Sequence, residues 1–261
     1  AGGGAGAAPP AARPWVVVNT AVEESTLGAR QPSLLRSLVG AAPPLLPQDE
    51  FLRDHLAPCD AVCISAGGND VALRPTIATG INMIMLVKRG SVASIRAGDA
   101  WGTSHFEGLF GTDMQRYVAA LCSKCAPARV GVCSIYFPDE TATGSWADTT
   151  LGLLGYDDEP AKLQAAIAMI HERATSHVRA PDARTRVVPI RLSEVLDGKV
   201  SEDYVCRVEP SASGGRKMAD LIWRDLGLGV DAETAAEAAA AAARDDAAAA
   251  AATTATEAAG G

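Results

Sequence analysis

The sequence predicts one α/β domain built on a mainly parallel β-sheet with helices on both faces. Strand and helix patterns alternate along the chain, and strands separated by helices require crossover connections, which make neighbouring strands parallel. The run AVCISA, residues 61–66, is short, apolar and free of helix signals, as is typical of a strand buried on both faces. A chain of 261 residues that is 48% hydrophobic and 21% charged can bury one substantial core.

Both ends of the chain differ in composition from the part between them. Residues 1–13 are rich in Gly, Ala and Pro and offer little to pack, so we expect a disordered head. The folded domain is expected over residues 14–228. Residues 229–261 form an Ala-rich, low-complexity tail that has high helix propensity but no apolar stripe, which predicts a frayed, solvated helix.

The amino-terminal half of the domain is predicted to hold two strands and two helical segments. The β-prone run WVVVN, residues 15–19, predicts the first strand, and residues 33–39 predict part of a helix. Residues 48–55 predict a further turn or two of helix leading into the strand at residues 61–66.

Helices and strands continue to alternate in the second half. A helix is predicted from about Thr112, a residue type that caps helix N-termini, and Pro160 is predicted to begin another. The apolar face of the first of these helices consists of Met114, Tyr117, Val118 and Leu121. The remaining elements are two strands and a closing helix, at residues 129–136, 186–190 and 215–226.

One amphipathic segment lies between the second predicted strand and the helix near Thr112. Its apolar residues on one helical face are Ile77, Ile81, Ile84 and Met85. A Gly-rich loop that contains Trp101 follows this helical segment. The segment and the loop together have the composition of a lid or acyl-chain wall over a site. Ordinary core packing is the alternative interpretation, and it is the one that we prefer.

The net charge and the hydropathy pattern of the chain restrict the classes of partner that it can have. A formal net charge of −8 without any basic block disfavours nucleic acid, because its partners concentrate Lys and Arg on one face. The longest apolar run near the middle, residues 77–87, is interrupted by Thr, Gly and Asn and is too short to cross a bilayer. We expect a soluble protein with no nucleic-acid partner and no membrane span. The sequence indicates neither a compartment nor an oligomeric state.

The six cysteines do not indicate a disulfide framework, because the chain is too long for a small disulfide-stapled domain. Cys122 and Cys125 have a spacing typical of zinc or redox sites, yet no second ligand pair has a matching spacing. We interpret them as structural thiols and expect neither a metal nor a cofactor.

The strand at residues 61–66 ends in Gly67-Gly68-Asn69-Asp70, where parallel sheets place their sites. Glycines let backbone N–H groups approach a ligand closely, and an Asn amide donates hydrogen bonds without bringing charge, as an oxyanion hole requires. A simple strand-terminal turn is the alternative, because Gly and Asn are also common turn residues. The spacing alone favours the turn.

Three segments resemble conserved blocks of the SGNH or GDSL-type esterases and lipases, and they occur in that family's order. AVCISAGGNDVAL resembles the Gly-x-Asn-Asp block. WVVVNTAVEEST resembles the strand that leads to the second block, and VEPSASGGRKMADLI resembles the closing block. The resemblance covers roughly residues 15 to 226. It implies a three-layer α/β/α fold with a mainly parallel sheet, and hydrolysis of a small-molecule ester.

The resemblance also implies roles for single residues. Asn69 matches the oxyanion-hole donor, Gly67 shapes its turn, and Gly68 and Asp70 complete the block beside the ligand. Glu24 stands where the second block has Gly, and a carboxylate there would repel a developing oxyanion.

The chain departs from the family at the catalytic residues. It contains no Gly-Asp-Ser nucleophile block, so we expect the first strand and its Ser upstream of residue 1 and a sheet that lacks that strand. Cys206 and Glu209 occupy the positions of the family's Asp and His, which makes Glu209 a weak candidate for the base. A non-catalytic binding module on the same fold is the alternative function.

Other hydroxyls and imidazoles could substitute for the missing groups. The candidate residues are Ser25, Ser65, Ser104, Ser211, His55, His105, His171 and His177. Among the histidines, His105 is expected nearest the cleft, although a surface histidine on a loop is the more common outcome.

Overall fold

The computed structural model describes residues 15–32 and 44–229. The described residues divide into two units, one that contains residues 15–18 and 227–229 and one that lies within Asn19–Leu226. In the described part of the first unit, the Trp15 indole Nε1–H donates a hydrogen bond to the Leu228 carbonyl O over 3.0 Å. The predictions for the head, for residues 33–39 and for the tail beyond residue 229 lie outside the described residues.

A three-stranded parallel sheet organises the second unit. Its strands are β1 (Ala61–Ile64), β2 (Arg129–Cys133) and β3 (Arg186–Ile190), and they lie in that order. The register places Ile64 opposite Val132 and Cys133 opposite Ile190, so the three strands end at the same edge. The prediction of an α/β fold with a parallel sheet is confirmed, and the strand at β3 has the predicted bounds.

The strand predicted at residues 15–19 is wrong. Residues 15–20 have no regular secondary structure, and the side chains of Val16, Val17 and Val18 are exposed. The β-propensity of this run suits a pleated, half-buried surface, but a run of such residues forms a strand only where a partner backbone pairs with it.

Nine α-helices lie in the described part of the second unit. They are α1 (Pro47–His55), α2 (Gly68–Ala72), α3 (Ile77–Arg89), α4 (Val92–Ala97), α5 (Thr103–Glu107), α6 (Met114–Leu121), α7 (Trp146–Leu153), α8 (Pro160–Arg173) and α9 (Ala212–Asp225). Pro160 begins α8 as predicted, at the position where its missing N–H has no helical partner to lose. The hydroxyl oxygen of Ser211 accepts from the N–H groups of Ser213 and Gly214, and this cap starts α9 three residues before the predicted start.

The helix predicted from about Thr112 is present as α6, which begins at Met114, but Thr112 does not cap it. A π-helical segment, Gly108–Asp113, joins α5 directly to α6, so Thr112 lies inside a helical run and does not cap one. The apolar face that was predicted for α6 is buried as expected: Met114, Tyr117, Val118 and Leu121.

The main core covers one face of the sheet. The strand residues that face it are Val62, Ile64, Val130 and Val132, and they pack with buried residues of α6 and α8. On the opposite face, a Cβ built on Gly131 would lie 3.1 Å from Leu226, at the end of α9, so the chain passes close to β2 there.

The preferred interpretation of the α3 stripe as core packing is wrong. Ile77, Ile81 and Ile84 face solvent, whereas Leu86 and Val87 of the same helix are buried. No helix in the two described ranges is long and apolar enough to span a membrane.

Candidate functional site

A cavity of about 360 Å³ lies at the carboxyl ends of the strands. Residues that follow β1 and β2 form one side of it, and apolar side chains of α3, α7 and α8 form most of the remainder. The polar side chains in its lining are Ser65, Asn69, Ser134, Tyr136, Thr150 and Glu209. A mainly apolar cavity with a few convergent polar groups is typical of small-molecule sites.

Gly67 sets the turn between β1 and α2. Its φ of +101° is in the left-handed region, and a Cβ at this position would lie only 2.4 Å from the Phe110 ring. Both observations exclude a side chain there. Gly68 lines the cavity and has no such restriction, since a Cβ there would meet nothing within 4 Å.

Asn69 reaches the cavity from the start of α2. The side chain is half-buried, and its Nδ2 donates a hydrogen bond to the carbonyl O of Ser25 over 3.0 Å. A carboxamide nitrogen carries two N–H groups, so one remains available for a ligand after this bond is made.

Asp70 points away from this cavity. The carboxylate is buried and accepts hydrogen bonds from the backbone N–H groups of Leu27 and Gly28, each over 2.8 Å. It therefore anchors the 25–30 segment, and the structure does not bring it into the lining with Asn69.

Glu24 is exposed, does not line the cavity and forms an ion pair with Arg74. Its φ of +58° is in the left-handed region that glycine adopts most easily. The pairing with Arg74 offsets the negative charge that we expected to oppose an oxyanion.

Glu209 lines the cavity beside Tyr136. The Glu209 side chain is exposed, and its carboxylate has no hydrogen-bond partner among the described residues. The Tyr136 hydroxyl donates to the carbonyl O of Val208 over 2.5 Å. Burial raises the pKa of Tyr136 to about 12, and the nearby Glu209 carboxylate contributes to the increase.

Arg207 fixes the segment that carries Glu209. Its guanidinium is fully buried and forms ion pairs with Asp148 over 3.1 Å and Asp157 over 2.9 Å. Nε–H also donates to the carbonyl O of Asp139 over 3.1 Å. Like Glu24, Arg207 has a positive φ, +62°, in the left-handed region. Sequence reasoning missed Arg207, because its partners come from positions far from it along the chain.

Three of the eight substitute groups line a cavity, and they lie in two different ones. Of the four candidate serines only Ser65 lines the first cavity, where it is exposed at the end of β1. His105 lies on a second cavity of about 460 Å³, together with Ser104 and Asp70. There the His105 Nε2 atom is 3.0 Å from the Thr79 hydroxyl. His105 is thus absent from the lining of the strand-end cavity, although its neighbour Phe106 lies in it.

The remaining histidines, His55, His171 and His177, line neither cavity. Within residues 15–32 and 44–229, no three His, Cys, Asp or Glu side chains come together in a way that could hold a metal ion. All six cysteines are free thiols.

No protein-family model matches the chain, and neither does any curated protein or solved structure. The site is therefore defined by its own geometry. It combines an uncharged N–H donor, a serine hydroxyl and a carboxylate around an apolar cavity.

Proposed function

We propose that this chain is an SGNH-type hydrolase that cleaves the ester bond of a small molecule, with Asn69 as the oxyanion donor. The observation that carries the proposal is the uncommitted N–H of Asn69 at an apolar cavity. Hydrogen-bond donors are most effective in such surroundings, because little water competes for the developing negative charge.

The position of Asn69 is fixed before any substrate arrives. Gly67 sets the turn, and the hydrogen bond to Ser25 holds the side-chain amide in place. A donor that is already oriented needs no rearrangement as the carbonyl oxygen becomes an oxyanion.

The nucleophile of the reaction is a serine hydroxyl. The family resemblance implies the serine of a Gly-Asp-Ser block, whereas Ser65 is the candidate hydroxyl that the described residues place in the cavity with Asn69 and Glu209. Glu209 is the base that we assign, since it is the carboxylate in the lining and lies at the position of the family's His.

Two features of the fold support the finer assignment to the three-layer SGNH type. Among the described strands, β1 pairs with β2 along one edge and has no partner on its other edge, as a sheet without the family's first strand would. Glu24, which stands where the family has Gly, has the backbone conformation that glycine adopts most readily.

Turnover of a soluble p-nitrophenyl ester tests the proposal. We expect Asn69→Ala to lower kcat by about 10²–10³-fold with little change in KM, because the donor acts mainly on the transition state. Asn82→Ala is the matched control, since the Asn82 side chain bonds its own helix and does not line the cavity. A folded protein that binds the ester without cleaving it, and binds it less tightly after Asn69→Ala, would instead support the non-catalytic binding module.

A further inference from the structure

Two cysteine sulfurs meet on the sheet although they lie 70 residues apart in the chain. The Sγ atoms of Cys63, on β1, and Cys133, at the end of β2, are 3.7 Å apart. Val62, Ile64 and Val132 face the main core, so the alternation of side chains along a strand turns both cysteines to the opposite face of the sheet. The contact makes them a pair of sulfur ligands that no local spacing in the sequence indicated.

The register of β1 and β2 opposes a disulfide between the two thiols. Cys63 lies opposite Gly131, so Cys133 is two residues further towards the carboxyl end of β2. Neighbouring strands are about 4.8 Å apart and a strand rises about 3.3 Å per residue, which puts the two Cα atoms roughly 8 Å apart. Disulfides usually join Cα atoms that are about 4.4–6.8 Å apart. The geometry therefore favours two separate sulfurs that another atom can bridge.

One metal ion between the sulfurs fits this arrangement. Metal–thiolate bonds are about 2.3 Å long, so an ion bound to both sulfurs at their present separation of 3.7 Å makes a sulfur–metal–sulfur angle of about 107°. The angle widens to about 120° when the sulfurs move to about 4.0 Å apart. Small side-chain rotations supply this change, and the backbone of neither strand has to move.

An ion can reach the pair from solvent. Cys63 is exposed, whereas Cys133 is only 3% exposed and lines the cavity of the candidate site. One ligand therefore faces the solution and the other is held within the fold. The exposed side at Cys63 also leaves room for a third ligand from solution, such as a small thiol.

We propose that Cys63 and Cys133 together bind one Cu(I) ion. Thiolates are the ligands that this soft ion prefers, and two of them suffice to hold it. Structural Zn²⁺ sites take four protein ligands, whereas within residues 15–32 and 44–229 no three His, Cys, Asp or Glu side chains come together to hold an ion. The thiols release their protons to solvent as the ion binds, and no electron is transferred. The site does not depend on the proposed function.

Cys122 and Cys125, the pair with the spacing typical of metal sites, form the poorer site. They follow the end of α6, and burial raises the pKa of the Cys122 thiol to about 11. At neutral pH this thiol keeps the proton that a metal ion must displace, which weakens metal binding. The second pair therefore serves as an internal control for the first.

Competition with the chelator bicinchoninate measures Cu(I) binding by the reduced, full chain under anaerobic conditions. We expect the wild type to take up about one equivalent of Cu(I). Cys63→Ser and Cys133→Ala should each bind Cu(I) at least about a hundredfold more weakly, since a single thiolate remains. Cys122→Ser is the matched control and should bind Cu(I) as the wild type does. X-ray absorption of the Cu(I)-loaded wild type should show sulfur neighbours at about 2.3 Å.

Cys63→Ser replaces an exposed thiol by a hydroxyl of similar size, so its circular dichroism should match that of the wild type and separate lost binding from lost folding. Equal Cu(I) binding by the wild type and Cys63→Ser would overturn the proposal, as would binding that only Cys122→Ser abolishes. Tighter binding of Zn²⁺ than of Cu(I) would overturn the choice of ion. A Cys63–Cys133 disulfide, found by peptide mapping after oxidation with diamide, would overturn the argument from the strand register. None of these results depends on whether the chain cleaves an ester.

Discussion

Asn69 Nδ2 donates a hydrogen bond to the Ser25 carbonyl O over 3.0 Å, and this bond ties the end of β1 to the segment before the first 3-10 helix, Gly28–Arg30. The next residue, Asp70, ties down the same segment through the N–H groups of Leu27 and Gly28. Two adjacent polar side chains thus serve different purposes. Asn69 keeps one donor for the cavity, whereas both oxygens of Asp70 are used within the fold.

Asp70→Ala should destabilise the protein, because it leaves the Leu27 and Gly28 N–H groups without their acceptor. Hydrogen bonds to a charged group contribute about 1.5–3 kcal/mol each, so we expect the free energy of unfolding in urea to fall by about 3 kcal/mol. Asp158→Ala removes an exposed carboxylate and should change it by less than about 0.5 kcal/mol. Equal unfolding midpoints for the two variants would contradict the anchoring role.

Gly67 and Gly68 form a matched pair of adjacent glycines. Gly67→Ala places a Cβ against Phe110 in a left-handed backbone conformation, so we expect a loss of about 3 kcal/mol in unfolding free energy. Gly68→Ala meets no neighbour within 4 Å at the first position of α2 and should stay within about 1 kcal/mol of the parent. Similar losses in both variants, measured by urea unfolding, would show that the turn does not depend on Gly67.

Arg207→Met should be among the most destabilising single substitutions. It removes a fully buried cation and leaves the Asp148 and Asp157 carboxylates without their partner. Removing one side of a fully buried pair costs about 3–5 kcal/mol, and because Asp148 and Asp157 are partly accessible to solvent we expect a loss of about 3 kcal/mol. Arg224→Met is the control: its guanidinium is largely exposed beside Glu194 and Asp225, where ion pairs contribute at most about 1 kcal/mol. Equal melting temperatures for Arg207→Met and Arg224→Met in thermal unfolding would contradict the larger loss of stability that we expect for Arg207→Met.

All four tyrosines, Tyr117, Tyr136, Tyr156 and Tyr204, have a raised pKa, chiefly because burial disfavours the phenolate. The pKa reaches about 12 for Tyr136 and for Tyr156. An unfolded tyrosine titrates near pH 10, so the folded protein keeps protons that the unfolded chain releases above that pH. The corresponding stability is fully present below about pH 10 and is lost as the pH rises towards 12.

The ultraviolet absorbance of the phenolates measures the pH at which each tyrosine loses its proton. We expect no tyrosine of the folded protein to titrate near pH 10, and all four to do so in guanidinium chloride. A phenolate that appears near pH 10 while the circular dichroism is still native would contradict the burial of at least one ring.

The sequence was most informative where local pattern and tertiary environment agree. The strand at Arg186–Ile190 and the start of α8 at Pro160 follow from buried apolar runs and from the geometry of proline. The run at residues 15–19 has equally strong β-propensity, but a strand also needs a partner backbone, which propensity does not supply. Thr112 suits a helix cap, but α5 and the π-helical segment continue the helix through it.

The candidate site was only partly predictable, because local sequence patterns do not show which distant residues pack together. Asn69 and Glu209, which were both singled out from the sequence, line one cavity, and their catalytic roles stay predictions. Whether a helical stripe faces the core or the solvent depends on what packs against it, so the direction of Ile77, Ile81 and Ile84 could not be deduced from spacing. The partners of Arg207 are separated from it by about 50 residues or more, and no local signal connects them.

The central claim is that Asn69 stabilises an oxyanion formed by attack of a serine. The most direct test is the rate of labelling by a serine-directed fluorophosphonate, followed by peptide mapping, in the wild type and in Asn69→Ala. We expect a single labelled serine in the wild type and labelling at least tenfold slower in Asn69→Ala, since the phosphoryl oxygen occupies the oxyanion position. A folded wild-type protein that is not labelled, or is labelled as fast as Asn69→Ala, would contradict it.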